Sequence, residues 1–236
     1  MGKRTPRETE SMHHYRNIAI LGTSHIARQS IIEVERAINE FRPGIVGLEL
    51  DKERFLALQH GHKGSPRLRD IRHFGVKGFL FAVLGAWAER KLGEVVGVAP
   101  GDEMKKGIAL AKQQGAKIAL LDQPLAVTLK RISSRLTWRE KGRFVADIFK
   151  AVFFKEKKFQ FDLRTVPEDE LVKKMVGMVK VRYPTLYDEL IIQRNRVMAG
   201  KLAAIMENHP DVNILALVGA GHADGILSLL RKSYKP

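Results

Sequence analysis

The stretch that decides the fold is Ile18-Ala19-Ile20-Leu21-Gly22, a short apolar run that ends in glycine. Such a run, with its β-branched residues, predicts a buried strand. A helical pattern of apolar and charged residues follows from Ser24 to about Phe41, and Arg42-Pro43-Gly44 ends it. Another apolar run, Ile45 to Leu50, predicts a second strand. Together these elements form a β-α-β unit, which favours two parallel strands joined by a right-handed crossover.

The rest of the chain repeats this alternation. Apolar runs from Lys117 to Leu121 and from Ile214 to Gly219 predict a third and a fourth strand. A helix precedes each, from about Gly101 to Gln114 and from about Pro184 to Asn208, and a last helix runs from about His222 to Arg231. Apolar strands that alternate with helices predict an α/β fold, with a mainly parallel central sheet covered by helices.

The segment between the third and fourth predicted strands has the pattern of helices. We expect a helical insertion on the sheet at about residues 125–182, with helices at about Leu125 to Arg135, Trp138 to Phe154 and Glu168 to Val181. The first 16 residues, MGKRTPRETESMHHYR, are polar and predict a flexible N-terminal tail. Residues 17–236 are then expected to form a single α/β domain.

Composition excludes several classes of protein. The chain has 236 residues, of which 44% are apolar and 28% charged, so a wholly disordered chain is excluded. It has no cysteine, which excludes disulfide scaffolds, thiolate metal sites and cysteine nucleophiles. The apolar run from Gly78 to Ala88 is shorter than the about 20 residues that a membrane-spanning helix needs. We therefore expect a cytoplasmic protein that can lie at the periphery of a membrane.

Charge indicates an acidic partner. The chain carries 41 Lys+Arg against 26 Asp+Glu, a formal net charge of +15, which fits either an anionic partner or the Lys/Arg-rich surface of a thermophile. Basic residues and phenylalanines interleave from Lys130 to Lys158, as on proteins that bind anionic membranes or nucleic acid. No recognised nucleic-acid module accompanies them, which disfavours nucleic acid. The alternative is an amphipathic helix packed by its phenylalanine face.

Polar side chains follow every predicted strand. Because the carboxyl ends of parallel strands meet at one edge of a sheet, these side chains are expected to share one rim. Two histidines and a glutamate have the ligand chemistry of a hydrolytic divalent-metal site, and without a metal they could act as general acid and base. The residues at the four strand ends are Ser24 and His25, Glu49 and Asp51, Asp122, and His222.

Each of these positions also has a purely structural explanation. Ser24 could cap a helix, Asp122 could be an ordinary turn residue, and His222 could cap the last helix. Glu49 is harder to explain in this way, because a carboxylate inside an apolar strand is costly unless it is paired or binds a metal.

Two further features lie near the same rim. Arg194 and Asn195 follow an apolar stretch of the long helix, where an arginine could clamp a carboxylate or stabilise an oxyanion, or simply be solvated. The Gly219-Ala220-Gly221 turn is a weak dinucleotide signal, because Asp224 stands where the third glycine of that fingerprint would be.

Taken together, these spaced motifs resemble the TraB (pheromone-shutdown) family over about residues 17 to 231. That family is grouped with Tiki-type metalloproteases, GumN and ChaN-like proteins, and erythromycin esterases. The matching motifs are Leu21-Gly-Thr-Ser-His25 with Ser30, Val46-Gly-Leu-Glu-Leu-Asp51 with Arg54, Pro100-Gly-Asp-Glu-Met104, Leu121-Asp122 with Thr128 and Arg131, Leu190-Ile-Ile-Gln-Arg194-Asn195 with Met198, and Val218-Gly-Ala-Gly-His222 with Gly225.

The resemblance implies an α/β fold whose active site uses His25, Glu49 and His222, with Arg194 in support. Two positions depart from the family pattern, in which an arginine often follows the third-strand aspartate and an acidic residue often precedes the helix arginine; here they are Gln123 and Gln193. Many relatives also continue into a membrane-embedded C-terminal region, so the chain is expected to be either a soluble variant or a truncated one.

We therefore expect a metal-dependent hydrolase, peptidase-like, that acts on a peptide or a related amide or ester. The expected cofactor is a divalent ion (Mn, Zn or Co) held by His25, Glu49 and His222. The residues expected to contact substrate are Ser24, Asp51, Asp122 and Asn195. The alternatives are a protein that sequesters a peptide or anionic ligand without turnover, and a basic protein that binds a membrane surface or nucleic acid through Lys130 to Lys158. Formation of a homo-oligomer is left open.

Overall fold

The computed structural model describes residues 12–23, 28–60, 101–153 and 176–233. Its strands are β1 (Met12–Tyr15), β2 (Ile18–Thr23), β3 (Ile45–Leu48), β4 (Lys117–Leu120) and β5 (Ile214–Gly219). Its helices are α1 (Arg28–Phe41), α2 (Lys52–Gln59), α3 (Asp102–Gln113), α4 (Leu125–Arg135), α5 (Trp138–Phe153), α6 (176–182), α7 (Pro184–Tyr187), α8 (Gln193–Asn208) and α9 (Ala220–Ser233).

The strands form one five-stranded sheet in the order β1-β2-β5-β3-β4. β2, β5, β3 and β4 are parallel, and β1 pairs with β2 in the antiparallel direction. The predicted α/β fold with a mainly parallel sheet is therefore confirmed. The expectation of a flexible tail is wrong for residues 12–15, which form β1; their polar sequence shows little strand pattern because this edge strand is only partly buried. The rest of the predicted tail lies outside the described residues.

Helices cover both faces of the sheet. This explains why its central strands are apolar at nearly every position. All residues of β2 and β5 are buried. Alternate residues of β2 belong to different cores: Ile18 and Ile20 pack with residues of α8 and α9, whereas Ala19 and Leu21 pack with residues of α1 and α3. On the second face α3 approaches the sheet closely at Gly107, where a Cβ atom would lie 2.6 Å from Leu217 Cδ1.

Most predicted helices have nearly the predicted bounds. α1 ends at Phe41, as Pro43 predicted, and Arg42 has a positive φ of 47°. The long helix predicted from Pro184 to Asn208 is instead α7, a π-helical turn at Asp188–Ile192, and α8. A π turn adds a residue to the helix and alters its local hydrogen bonding, which the apolar periodicity does not indicate. Among the described helices, none is both long and apolar enough to cross a bilayer.

The helical insertion stays a prediction as a whole. Two of its predicted helices are present as α4 and α5. Residues 154–175, which include most of the third predicted helix, lie outside the described part of the chain, as does the apolar run from Gly78 to Ala88.

The register of the sheet brings the ends of three strands to one level. Leu48 is paired with both Leu217 and Leu120, and beyond these pairs Glu49 N–H donates to Leu217 C=O (3.0 Å). Leu121 N–H donates in turn to Leu48 C=O (2.9 Å). The residues that follow β3, β4 and β5 therefore share the carboxyl-end rim of the sheet, where α/β proteins of this kind bind their ligands.

Candidate active site at the carboxyl end of the sheet

Glu49 is the first residue after β3, and its carboxylate is 5% exposed. Its Oε2 atom accepts a hydrogen bond of 2.6 Å from the backbone N–H of Gly219, the last residue of β5. Its Oε1 atom accepts from Arg194 Nη2 and lies 3.4 Å from His222 Nε2. Burial of a charge is tolerated only with such partners. The buried acid that the sequence predicted is thus bound to the end of a neighbouring strand and to α8.

Asp122 lies just beyond β4 and is also buried. Both of its carboxylate oxygens accept from Arg194: Nη2 donates to Oδ2 at 2.7 Å, and Nε donates to Oδ1 at 3.1 Å. Oδ1 also accepts the backbone N–H of Gln123 at 2.8 Å. A two-pronged contact of this kind fixes the plane of the guanidinium group as well as its position. Asp122 is therefore more than a turn residue, because it orients Arg194.

Arg194 lies at the centre of the cluster, and each of its N–H groups has an acceptor. Besides the two carboxylates, Nη1 donates to the backbone carbonyl of Leu190 (3.3 Å), in the π turn before α8, and to His222 Nε2 (3.3 Å). Burial on its own would lower the pKa of the Arg194 guanidinium, but the charges and hydrogen bonds of Glu49 and Asp122 outweigh burial and raise it. Arg194 is therefore a permanent cation in this site.

His222 and Asn195 form the other side of the cluster. A guanidinium group can only donate, so His222 Nε2 accepts from Arg194, and the ring proton is assigned to Nδ1. Nδ1 then donates to Asn195 Oδ1 at 2.6 Å. In this assignment the Nε2 lone pair is directed at Arg194, close to Glu49. Both residues are buried, at 5% and 4% exposed.

A glycine makes room for this histidine–asparagine pair. A Cβ atom at Gly225, one turn after His222 on α9, would lie only 2.1 Å from Asn195 Nδ2. The late glycine of the GAGHxxG sequence is therefore needed so that Asn195 can lie against α9 and hold the imidazole.

Asp51 lies outside this cluster. Its Oδ1 atom accepts from the Arg54 N–H at 2.8 Å and so caps α2, while Oδ2 accepts from the Leu125 N–H at 3.0 Å and ties the start of α4 to the rim. These contacts are structural. The predicted contact of Asp51 with substrate stays a prediction, as does that of Asp122 and Asn195.

Ser24 and His25 lie outside the described residues. Of the predicted metal ligands, the structure therefore describes Glu49 and His222. Their Oε1 and Nε2 atoms are 3.4 Å apart, a separation that one ion at about 2 Å from each could span. The contact of His222 Nδ1 with Asn195 also resembles the outer contact that usually orients a metal-bound histidine.

One observation opposes a metal. Arg194 uses the same Glu49 oxygen and the same His222 nitrogen that an ion would need. Within the described ranges no group of three or more His, Asp or Glu side chains is arranged to hold an ion. The donors thus fit in type and spacing, and a complete ligand set would need His25 and a displaced Arg194.

Sequence reasoning did not predict two groups that hold this site in place. Lys201 lies two turns after Arg194 on α8. Its Nζ atom donates to the backbone carbonyls of Asp122 (2.7 Å) and Leu120 (3.1 Å), which fixes the end of the edge strand β4. The Leu190 carbonyl holds Arg194 from the π turn. An exposed lysine on a helix and a backbone carbonyl give no distinctive pattern in a single sequence.

Comparisons with known proteins identify the family of the chain. The model of the TraB/PrgY/gumN family matches residues 10–235. An uncharacterized protein of Methanocaldococcus jannaschii is 33% identical over 221 residues, covering 92% of this chain and 54% of that protein. The human TraB domain-containing protein is 25% identical over 236 residues, covering 89% of this chain and 61% of that protein, and the bovine one is 24% identical. The chain spans little more than half the length of these relatives. It belongs to the TraB/PrgY/gumN family.

Proposed function

We propose that this protein is a hydrolase that acts on a peptide or a related amide or ester at the rim formed by Glu49, Asp122, Arg194 and His222. The observation that supports this most is the position of His222. Its imidazole is buried, its Nδ1 lies 2.6 Å from Asn195 Oδ1, and its Nε2 lies 3.3 Å from a fixed cation and 3.4 Å from a carboxylate. A histidine held in this way suits transfer of a proton.

In the proposed reaction Arg194 Nη1 first gives up its contact with His222 Nε2. The freed Nε2 lone pair then removes a proton from water as the water oxygen attacks the substrate carbonyl carbon. Glu49, 3.4 Å from Nε2, stabilises the imidazolium that forms. The same proton then passes to the leaving nitrogen or oxygen as the tetrahedral intermediate collapses, which returns His222 to its neutral form. Asn195 holds the ring in one orientation throughout. His25, proposed from the family resemblance, would share this proton transfer.

Arg194 stabilises the oxyanion of the intermediate in this proposal. All of its N–H groups are engaged, so an oxyanion must replace an existing acceptor. The two acceptors of Nη1, the Leu190 carbonyl and His222 Nε2, are the best candidates, because neither is a carboxylate and both contacts are 3.3 Å long. A charged oxygen competes well against a neutral one for the same donor. Asp122 keeps the guanidinium plane fixed during the exchange.

We further propose that a divalent ion (Mn, Zn or Co) can bind to Glu49 and His222 together with His25. Such an ion would supply Lewis-acid polarisation of the carbonyl and a water of lowered pKa. Binding would require Arg194 to give up its contacts with the Glu49 oxygen and the His222 nitrogen. We also propose that the protein acts in the cytoplasm. A chain without cysteine has no disulfide bonds and is therefore compatible with that reducing compartment.

The test is hydrolysis of a peptide library and of model esters, with added Mn²⁺, Zn²⁺ or Co²⁺ and with a chelator. We expect product from the wild-type chain, and a loss of about a hundredfold or more for His222→Ala, because removal of a general base typically costs that much. Glu49→Gln should lose activity as well. The matched controls are Glu207→Gln near the end of α8 and His209→Ala just beyond it, which should keep the wild-type rate.

Two results would contradict hydrolysis. Full activity in both His222→Ala and His25→Ala would remove the proposed proton transfer. Stoichiometric peptide binding without product, unchanged in Glu49→Gln, would favour the alternative in which the protein sequesters a ligand. A rate that is the same with chelator and with metal would contradict the proposed ion while leaving the hydrolase proposal intact.

A further inference from the structure

Among the described residues, most of the large exposed apolar side chains lie on three helices, α4, α5 and α6. In the described ranges such side chains are Ile32, Leu56, Leu125, Trp138, Met178 and Val181, and the last four lie on α4, α5 and α6. Trp138 and Val181 are 83% exposed, more than any of the others. A tryptophan that is almost fully in water has a cost that a packed core would remove, so it commonly marks an interaction surface.

Basic side chains flank these apolar ones. Arg139 and Arg143 are exposed on α5, Lys180 is exposed on α6, and Lys141 Nζ lies 4.7 Å from the Trp138 ring centroid. We name this surface the basic face: Trp138, Arg139 and Lys141 in the first turn of α5.

The two nearby carboxylates, Glu140 and Asp147, already accept hydrogen bonds from other groups. Glu140 is buried and accepts the N–H groups of Thr137 (3.0 Å) and Thr185 (2.8 Å). Asp147 accepts from Arg182 Nε and from the Tyr183 hydroxyl, both at 2.6 Å. These two described carboxylates of α5 are thus engaged by groups other than the cations of the basic face. This surface is therefore strongly positive as well as partly apolar.

The other side of α5 packs against α6 and the residue that follows it. Arg143 Nη1 donates to the backbone carbonyl of Arg182 (3.4 Å), and the rings of Phe144 and Tyr183 meet edge to face at 6.1 Å. Phe144 and Asp147 thus face α6, so the side of α5 that carries Trp138 points away from this contact. The acidic and aromatic side of α5 is used to hold α6, and the basic side is left outward.

We propose that the basic face binds the surface of an anionic phospholipid bilayer. Lys and Arg are attracted to anionic headgroups, and a tryptophan beside them is suited to the boundary between headgroups and acyl chains. The contact of Lys141 with the Trp138 ring favours a bilayer over nucleic acid, because it occupies a ring face on which a base would stack. This inference is independent of the proposed hydrolysis, since the basic face shares no residue with the rim.

The test is co-sedimentation of the full chain with vesicles of phosphatidylcholine and phosphatidylglycerol, compared with phosphatidylcholine alone. We expect binding to the anionic vesicles that weakens steeply with added NaCl. Arg139→Glu/Lys141→Glu should lower the partition coefficient at least about 25-fold, since each basic residue near the surface contributes about 1 kcal/mol. The matched control is Lys112→Glu/Lys117→Glu, which reverses two exposed lysines of α3 and β4 and changes the net charge equally.

Trp138 provides a second readout. Its fluorescence should shift to the blue with anionic vesicles, and Trp138→Ala, which removes an exposed side chain and should fold normally, should lose that shift. Equal loss of binding in both double reversals would overturn the basic face as the contact. Binding to an oligonucleotide with none to vesicles would overturn the lipid proposal in favour of nucleic acid.

Discussion

Arg194→Met is the most informative single change in this structure. It removes the cation from between two buried carboxylates and keeps a side chain of similar length. The side chains of Glu49 and Asp122 are 6% and 5% exposed, and that of Arg194 is 15% exposed. In the variant, two negative charges would stay close together in the interior. The half-exposed Arg54, whose Nη1 lies 3.8 Å from Asp122 Oδ2, would counter them only weakly.

The expected cost follows from that burial. Removing one partner from a buried ion pair costs about 3–5 kcal/mol, because the remaining charge stays desolvated and unpaired. For a chain of this length that loss corresponds to a fall in Tm of roughly 6–20 °C. Arg196→Met, two residues along the same helix and exposed, should change stability by only about 0.5 kcal/mol.

The assay is urea denaturation followed by circular dichroism at pH 7, with thermal melts alongside. Arg194→Met should also be repeated in a Glu49→Gln/Asp122→Asn background. There the loss should shrink by about 1–3 kcal/mol, the coupling expected for residues in one charged network. If Arg194→Met were as stable as Arg196→Met, the central role that the structure gives to Arg194 would be refuted.

Three further changes test separate parts of the structure. Gly225→Ala should force Asn195 to move and cost roughly 1–3 kcal/mol in urea denaturation, whereas Gly200→Ala, with open space around its Cβ position, should be neutral or stabilising; equal effects would contradict the close approach. Burial raises the pKa of Glu140, but the backbone N–H groups that it accepts outweigh this and lower it below 4.5. Its contribution to stability is therefore present above pH 4.5 and lost as the pH falls below that value, and Glu140→Gln should be less stable at pH 7 and show less acid dependence; an unchanged acid profile would count against this. Burial, then the neighbouring carboxylate, raises the pKa of Tyr183 from 10.0 to about 12. Since the raised pKa belongs to the folded state, its contribution is full below pH 10 and is lost towards pH 12; titrating the free energy of unfolding over that range should show the loss in the wild type, and Tyr183→Phe should abolish it.

The sequence by itself determined the layered α/β fold. Apolar runs without alternation indicated strands covered on both faces, and helical periodicity between them indicated parallel pairing; both are local patterns that depend on burial alone. The same reasoning placed Glu49, Asp122 and His222 at one rim, because parallel strands end on the same side of a sheet. It did not predict β1, since the edge strand is only partly buried and its residues carry little apolar pattern.

Only the tertiary structure decided how the rim residues are connected. Arg194 meets Glu49 across 145 positions of the chain and Asp122 across 72, and no local pattern reports such a contact. On helical spacing alone Arg194 could equally have been solvated; the π turn and the register of the sheet bring its guanidinium group between two buried acids. The contacts of His222 with Arg194 and Asn195 and the need for Gly225 follow from the same packing, because each depends on atoms that only folding brings together.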